Sequence, residues 1–166
     1  MKTLLLIRHA KSSWDPSIAE DFDRPLNDRG KRDAREMAKR LVGQKLPIDQ
    51  FVASPAKRAK KTALLFAREY GRSEADIFFI PGLYHAPPQV FEEVVRGLDN
   101  AFDHVALFSH NPGITAFVNM LGTVQLDNMP TCGVFGISAD TADWNQFSFA
   151  EKKFLFFDYP KNQTGD

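Results

Sequence analysis

Short apolar runs alternate along this chain with segments in which apolar residues recur every third or fourth position. The first run, Leu4 to Ile7, has the length of a buried strand and is far too short to cross a membrane. Asn27 to Val42 reads as a helix, opened by Asn27 as its cap and closed near Gly43. Phe51 to Ala53 reads as a strand running into Ser54-Pro55, and Ala56 to Tyr70 as a helix stopped by Gly71. Ile77 to Ile80 is a predicted strand ended by Pro81-Gly82. Pro88 to Leu98 places Val90, Phe91, Val94, Val95 and Leu98 on one helical face. Val105 to Phe108 is a further strand, and Pro112 to Leu121 a helix ending at Gly122. In the tail, Val134 to Ile137, Gln146 to Phe149 and Phe154 to Phe157 read as strands, the last two forming a hairpin across Glu151-Lys152-Lys153. Strands alternating with helices predict an α/β fold, a three-layer α/β/α sandwich around a mostly parallel sheet that the hairpin makes mixed.

Length and charge narrow this picture. A chain of 166 residues is read as one domain, 1–166, large enough for a full core. Lys+Arg and Asp+Glu both number 21, so bulk charge points to neither nucleic acid nor an anionic membrane as partner. Cys132 is the one cysteine, which excludes an internal disulfide. Arg8, His9 and Lys11 arrive too early for a signal peptide, and a cytoplasmic, soluble protein is expected.

Candidate chemistry collects where the strands end. Leu4-Leu5-Leu6-Ile7 breaks directly into Arg8-His9, and in open α/β sheets the carboxyl ends of strands are where ligands sit. Two other strands share a construction: Phe51-Val52-Ala53 leads to Ser54, Pro55 and Arg58, and Val105 to Phe108 leads to Ser109, His110, Asn111 and Pro112. Ser54 and Asn111 suit an N-cap, and proline suits the first helical position, so two helix N-termini are expected at the strand ends. Helix N-termini favour anions. Arg8, His9, Arg58 and His110 together would form a cationic basket for a phosphoryl group, and two arginines can neutralise its charge without a metal.

Other features have simpler readings. The four histidines lack close metal-ligand spacing, so no metal site and no cofactor are expected. Asp21, Asp23 and Asp28 cluster, and a capped turn accounts for them more economically than a metal. Cys132 reads as a small loop or strand residue, His104 as exposed, Glu92 and Glu93 as helix surface, and the phenylalanines between Phe147 and Phe157 as packing.

Leu6-Ile7-Arg8-His9-Ala10, Ser54-Pro55-Ala56-Lys57-Arg58-Ala59-Lys60-Lys61-Thr62-Ala63 and Ser109-His110-Asn111-Pro112-Gly113 resemble the histidine phosphatase superfamily. Arg8-His9-Ala10 stands where the family has Arg-His-Gly. With Lys11-Ser12-Ser13-Trp14, Asp23-Arg24-Pro25-Leu26-Asn27-Asp28-Arg29-Gly30 and Met129-Pro130-Thr131, the chain looks like the small phosphohistidine phosphatases of the SixA type. The resemblance runs from strand one to about Ile137. It implies a phosphoglycerate-mutase-like fold, His9 as the nucleophile that becomes phosphorylated, Arg8 and Arg58 as the phosphoryl clamp, and His110 as the second catalytic histidine. Many members carry a glutamate general acid after the third strand. Gly82 to Pro88 holds no acid, and His85 stands about where it would be. His85 either donates a proton, shapes the pocket, or is an ordinary loop histidine. The missing acid and the absence of a long lid favour a phosphohistidine-bearing protein as substrate. The alternatives are a small-molecule phosphomonoesterase and a module that binds phosphohistidine without turnover.

Overall fold

A computed structural model describes residues 1–162. Six strands form one sheet: β1 (Lys2–Arg8), β2 (Gln50–Ala53), β3 (Ile77–Phe79), β4 (His104–Ser109), β5 (Val134–Ala139) and β6 (Lys152–Asp158), in the order β3-β2-β4-β1-β5-β6. The four strands from β3 to β1 run parallel, and β5 pairs antiparallel with both β1 and β6. Four helices complete the fold: α1 (Asp28–Gly43), α2 (Lys57–Glu69), α3 (Pro88–Arg96) and α4 (Gly113–Met120).

The run Leu4-Leu5-Leu6-Ile7 is continuously apolar because β1 lies inside the sheet with helices over both faces. Its side chains alternate: Leu5 and Ile7 join one buried cluster with Met37, Leu41 and Phe66 of α1 and α2. Leu4 and Leu6 join the other with Phe91, Val95, Phe117 and Val118 of α3 and α4. This is the expected three-layer sandwich. Asn27 caps α1 as read, its side chain accepting from the Gly30 N–H at 2.8 Å. No helix among the described residues is long and apolar enough to cross a membrane.

Three readings are corrected. Gln146 to Phe149 is not a strand: Trp144–Gln146 is a short 3-10 helix, with Trp144 and Phe147 buried against the α3/α4 cluster. The hairpin partner of β6 is β5 itself. Of the phenylalanines read as packing, Phe147 is buried, whereas Phe149 is 73% exposed and Phe154 38% exposed. Neither Ser54 nor Asn111 is a helix cap: α2 starts after Ala56 and α4 after Pro112. Ser54 Oγ instead accepts from the Ala56 N–H at 3.3 Å, and Asn111 Oδ1 accepts from the Thr115 hydroxyl at 2.6 Å. Both polar side chains hold the approach to a helix rather than its first turn. His104 is only half exposed, with Nδ1 3.1 Å from Asp49 Oδ2.

Candidate active site

The carboxyl ends of β2, β4 and β1, adjacent in the sheet, converge on one rim. His9 follows the end of β1, Ser54 the end of β2, and His110 the end of β4. Main-chain bonds lock these exits together: the His9 N–H donates to Ser109 O at 3.1 Å and the Ser54 N–H to Phe108 O at 3.0 Å. Thr62 ties α2 to the same rim, since its hydroxyl accepts from the Ala10 N–H and donates to Arg58 O. Arg8, His9, Arg58 and His110, spread over a hundred residues of sequence, are thereby brought together.

His9 is almost fully buried, and its Nδ1 lies 2.7 Å from Ala10 O. A carbonyl can only accept, so Nδ1 carries the proton and Nε2 the lone pair. Burial lowers the imidazole pKa to about 3; the Ala10 bond opposes this, and the charges of Arg8, Arg58 and Arg24 reinforce it. The ring is therefore neutral at physiological pH and presents an unprotonated nitrogen.

The His110 ring centroid is 5.2 Å from that of His9. Burial again lowers its pKa to about 3, with the proximity of His9, Arg58 and His85 acting the same way and Asp21 opposing. Its Nε2 is 2.8 Å from Ser54 Oγ. The Ser54 hydroxyl has no other acceptor among the described residues, so we assign its proton to His110 Nε2. That leaves Nδ1 of His110 as an N–H, buried and with no partner among the described residues. Arg8 Nε and Arg58 Nε are likewise buried and unpartnered. A buried donor without an acceptor costs about 1–3 kcal/mol, more when charged. All three belong to residues that bear on His9, through the charges of Arg8 and Arg58 and the nearby ring of His110, and such a set suits an anion with several oxygens.

Part of each guanidinium is already committed. Arg8 Nη1 donates to Met129 O at 2.9 Å. Arg58 donates from Nη1 to Asp21 O and from Nη2 to Asp21 Oδ2. Asp21, read from the sequence as part of a capped turn, holds Arg58 instead. It lies in a 3-10 turn (Asp21–Asp23), and its carboxylate also accepts from Arg24 at 3.1 Å and the Tyr84 hydroxyl at 2.7 Å. Burial pushes its pKa up, but the Tyr84 and Arg24 hydrogen bonds and the charge of Arg58 hold it well below the usual carboxylate range. Asp21 is thus ionised at neutral pH and orients Arg58 without being able to donate a proton. Its sequence signal was the acidic cluster with Asp23 and Asp28, which carried no link to Arg58.

His85 stands at the rim, exposed, with φ 58° and its ring 3.9 Å from that of Tyr84. A depression of about 350 Å³ lies between it and His110. The Tyr84–Ala86 segment reaches this place because Gly113 lacks a side chain: a Cβ there would meet Ala86 O at 1.9 Å. Glu92 accepts from the Ser148 hydroxyl at 3.0 Å. Cys132 is fully buried, its thiol pKa pushed up by burial, as a packed loop residue.

The sequence profile of the histidine phosphatase superfamily, branch 1, matches residues 4–83. An uncharacterised protein of Mycobacterium tuberculosis is 32% identical over 120 residues, covering 72% of this chain and 72% of its own length. An uncharacterised chloroplast protein of Arabidopsis thaliana is 27% identical over 154 residues, 87% of this chain and 70% of its own. The protein histidine phosphatase SixA complexed with tungstate superposes with a TM-score of 0.82 at 23% identity, over 96% of this chain and 98% of that one. With the profile carrying Arg8, His9 and Arg58, and the fold shared with SixA, the chain belongs to the histidine phosphatase superfamily.

Proposed function

We propose that the protein is a phosphatase that hydrolyses phosphohistidine on proteins through a phosphohistidine intermediate at His9. The observation that carries this reading is the set of three unpartnered buried donors, Arg8 Nε, Arg58 Nε and His110 Nδ1, around a neutral His9. They supply hydrogen bonds to the three phosphoryl oxygens as charge spreads over them in transfer. His9 Nε2 bonds to phosphorus as the substrate's P–N bond breaks. The departing imidazole leaves neutral, keeping the proton on its other nitrogen. Phospho-His9 then carries Nδ1–H, held by Ala10 O, and is a phosphoimidazolium. Water attacks phosphorus, the Nε2–P bond breaks, and His9 returns to its neutral tautomer while the water proton passes to solvent. The Ala10 carbonyl thus keeps His9 a good leaving group without any separate acid.

The substrate class rests on the same economy. Asp21, the carboxylate on Arg58, stays ionised, and no acid occupies Gly82 to Pro88. General acid help is typically worth ~10²–10⁴-fold for a poor leaving group. Phosphohistidine does not need it; an alkyl phosphate does. The likeness to SixA, a protein histidine phosphatase whose structure holds tungstate, is consistent with this choice. The test is a rate series over phosphohistidine proteins, aryl phosphates and alkyl phosphates, run with and without His85→Ala. Rates should fall steeply as leaving-group pKa rises, and chelators should leave them unchanged because Arg8 and Arg58 supply the charge a metal would. Alkyl phosphates turned over as fast as phosphohistidine would move the assignment to a small-molecule phosphomonoesterase. Failure to trap a phosphoryl group on His9 during exposure to phosphohistidine would leave a binding module.

A further inference from the structure

A second concavity, about 580 Å³, adjoins the candidate active site. The two share a wall. The turn Asp21–Asp23 sends Asp21 to Arg58 on one side, while Phe22 and Asp23 line the concavity on the other. Ser54 bonds His110, and the next residue, Pro55, lines the concavity. The Phe22 ring packs edge-on to Tyr84 with centroids 5.1 Å apart. The floor is apolar, with Leu64 and the partly exposed Phe22, and four lysines lie around it: Lys31, Lys57, Lys60 and Lys61. Only Asp23 and Glu74 oppose them, and Glu74 is 3.8 Å from Lys60. The Lys61 ammonium is disfavoured by burial and by the charges of Arg68, Lys31 and Arg35. With four lysines against two carboxylates around apolar side chains, the groove keeps an excess of positive charge.

We propose that this groove docks an acidic segment of the phosphorylated protein substrate, placing its phosphohistidine in the neighbouring basket. The proposal rests on the phosphohistidine reading above. Charge complementarity selects an acidic occupant, and the shared wall makes docking and phosphoryl binding two parts of one contact. Carboxylates flanking the phosphohistidine meet Lys57 and Lys60 while an apolar side chain covers Phe22 and Leu64.

The test uses two synthetic peptides, each with one histidine phosphorylated by phosphoramidate, flanked by glutamates in one and glutamines in the other. Free phosphohistidine reports on the basket alone. With the wild-type protein at low salt, the glutamate peptide should show a kcat/KM higher by roughly tenfold, an advantage that shrinks as salt screens it. Lys57→Glu/Lys60→Glu should abolish that advantage and leave free phosphohistidine turnover unchanged. Equal kcat/KM for the two peptides with wild-type protein overturns the docking proposal alone. Equal slowing of free phosphohistidine and the glutamate peptide in the variant also overturns it, since the lysines would then serve the basket. No turnover of any of the three by wild-type protein overturns the phosphohistidine reading and the docking proposal with it.

Discussion

At the scale of single residues, the site depends on which groups are kept uncharged. His9 and His110 sit below two arginines and inside the fold, and both are held neutral far below the ordinary imidazole range. His9→Ala should abolish turnover with an unchanged circular dichroism spectrum; near wild-type activity would remove His9 as the nucleophile. Asp21 acts the other way, as a fixed anion on Arg58. Asp21→Asn keeps the shape and removes the charge, and should lower kcat by about ten- to a hundredfold, the scale of a lost charge-assisted hydrogen bond. Glu at the same position should restore part of it; equal rates for wild type and Asp21→Asn would mean that Arg58 needs no anchor. Arg8, His9, Arg58 and His110 were legible in the sequence because each lies within a few residues of an apolar strand. The tie of Asp21 to Arg58 was not, because 37 positions of sequence separate them and only the folded turn brings them together.

At the scale of elements, the strands were readable and their surroundings less so. β1 and β4 announce themselves as uninterrupted apolar runs because both faces are covered. The misread strand at Gln146 to Phe149 shows the limit of composition: phenylalanine fits a helix packed on a sheet as well as a strand within it. The cap positions failed for a related reason. Serine and asparagine before proline signal a turn into a helix without stating how many residues the turn takes. Packing between elements leaves still less trace. Gly113 permits the contact between α4 and the segment carrying His85, and Gly113→Ala places a methyl 1.9 Å from Ala86 O and 3.0 Å from Phe91 Cε2. We expect a loss of about 1–3 kcal/mol in denaturant unfolding, together with slower turnover as the Tyr84–Ala86 segment is displaced. An unchanged midpoint would show that this segment yields freely.

At the scale of the whole molecule, the neutral histidines couple function to acid stability. Their folded pKa values, about 3, lie below the unfolded value of about 6.5. Between these values the unfolded chain binds more protons, so the stability is fully present above about pH 6.5 and is lost as pH falls toward 3. Unfolding free energy measured against pH should decline across that window, less steeply in His110→Asn; identical slopes would mean His110 titrates normally when folded. A further consequence follows from how β5 meets β1. The loop before β5 supplies the Met129 carbonyl to Arg8, and the Cys132 N–H lies 3.1 and 3.0 Å from the Arg8 and His9 carbonyls. Every one of these groups from the loop is main chain. Alanine at Met129 or Cys132 would therefore read the packing of those two side chains and leave the clasp intact. An amide-to-ester replacement at Cys132, which deletes its N–H, is the change that would loosen the nucleophile's strand end while leaving every side chain in place.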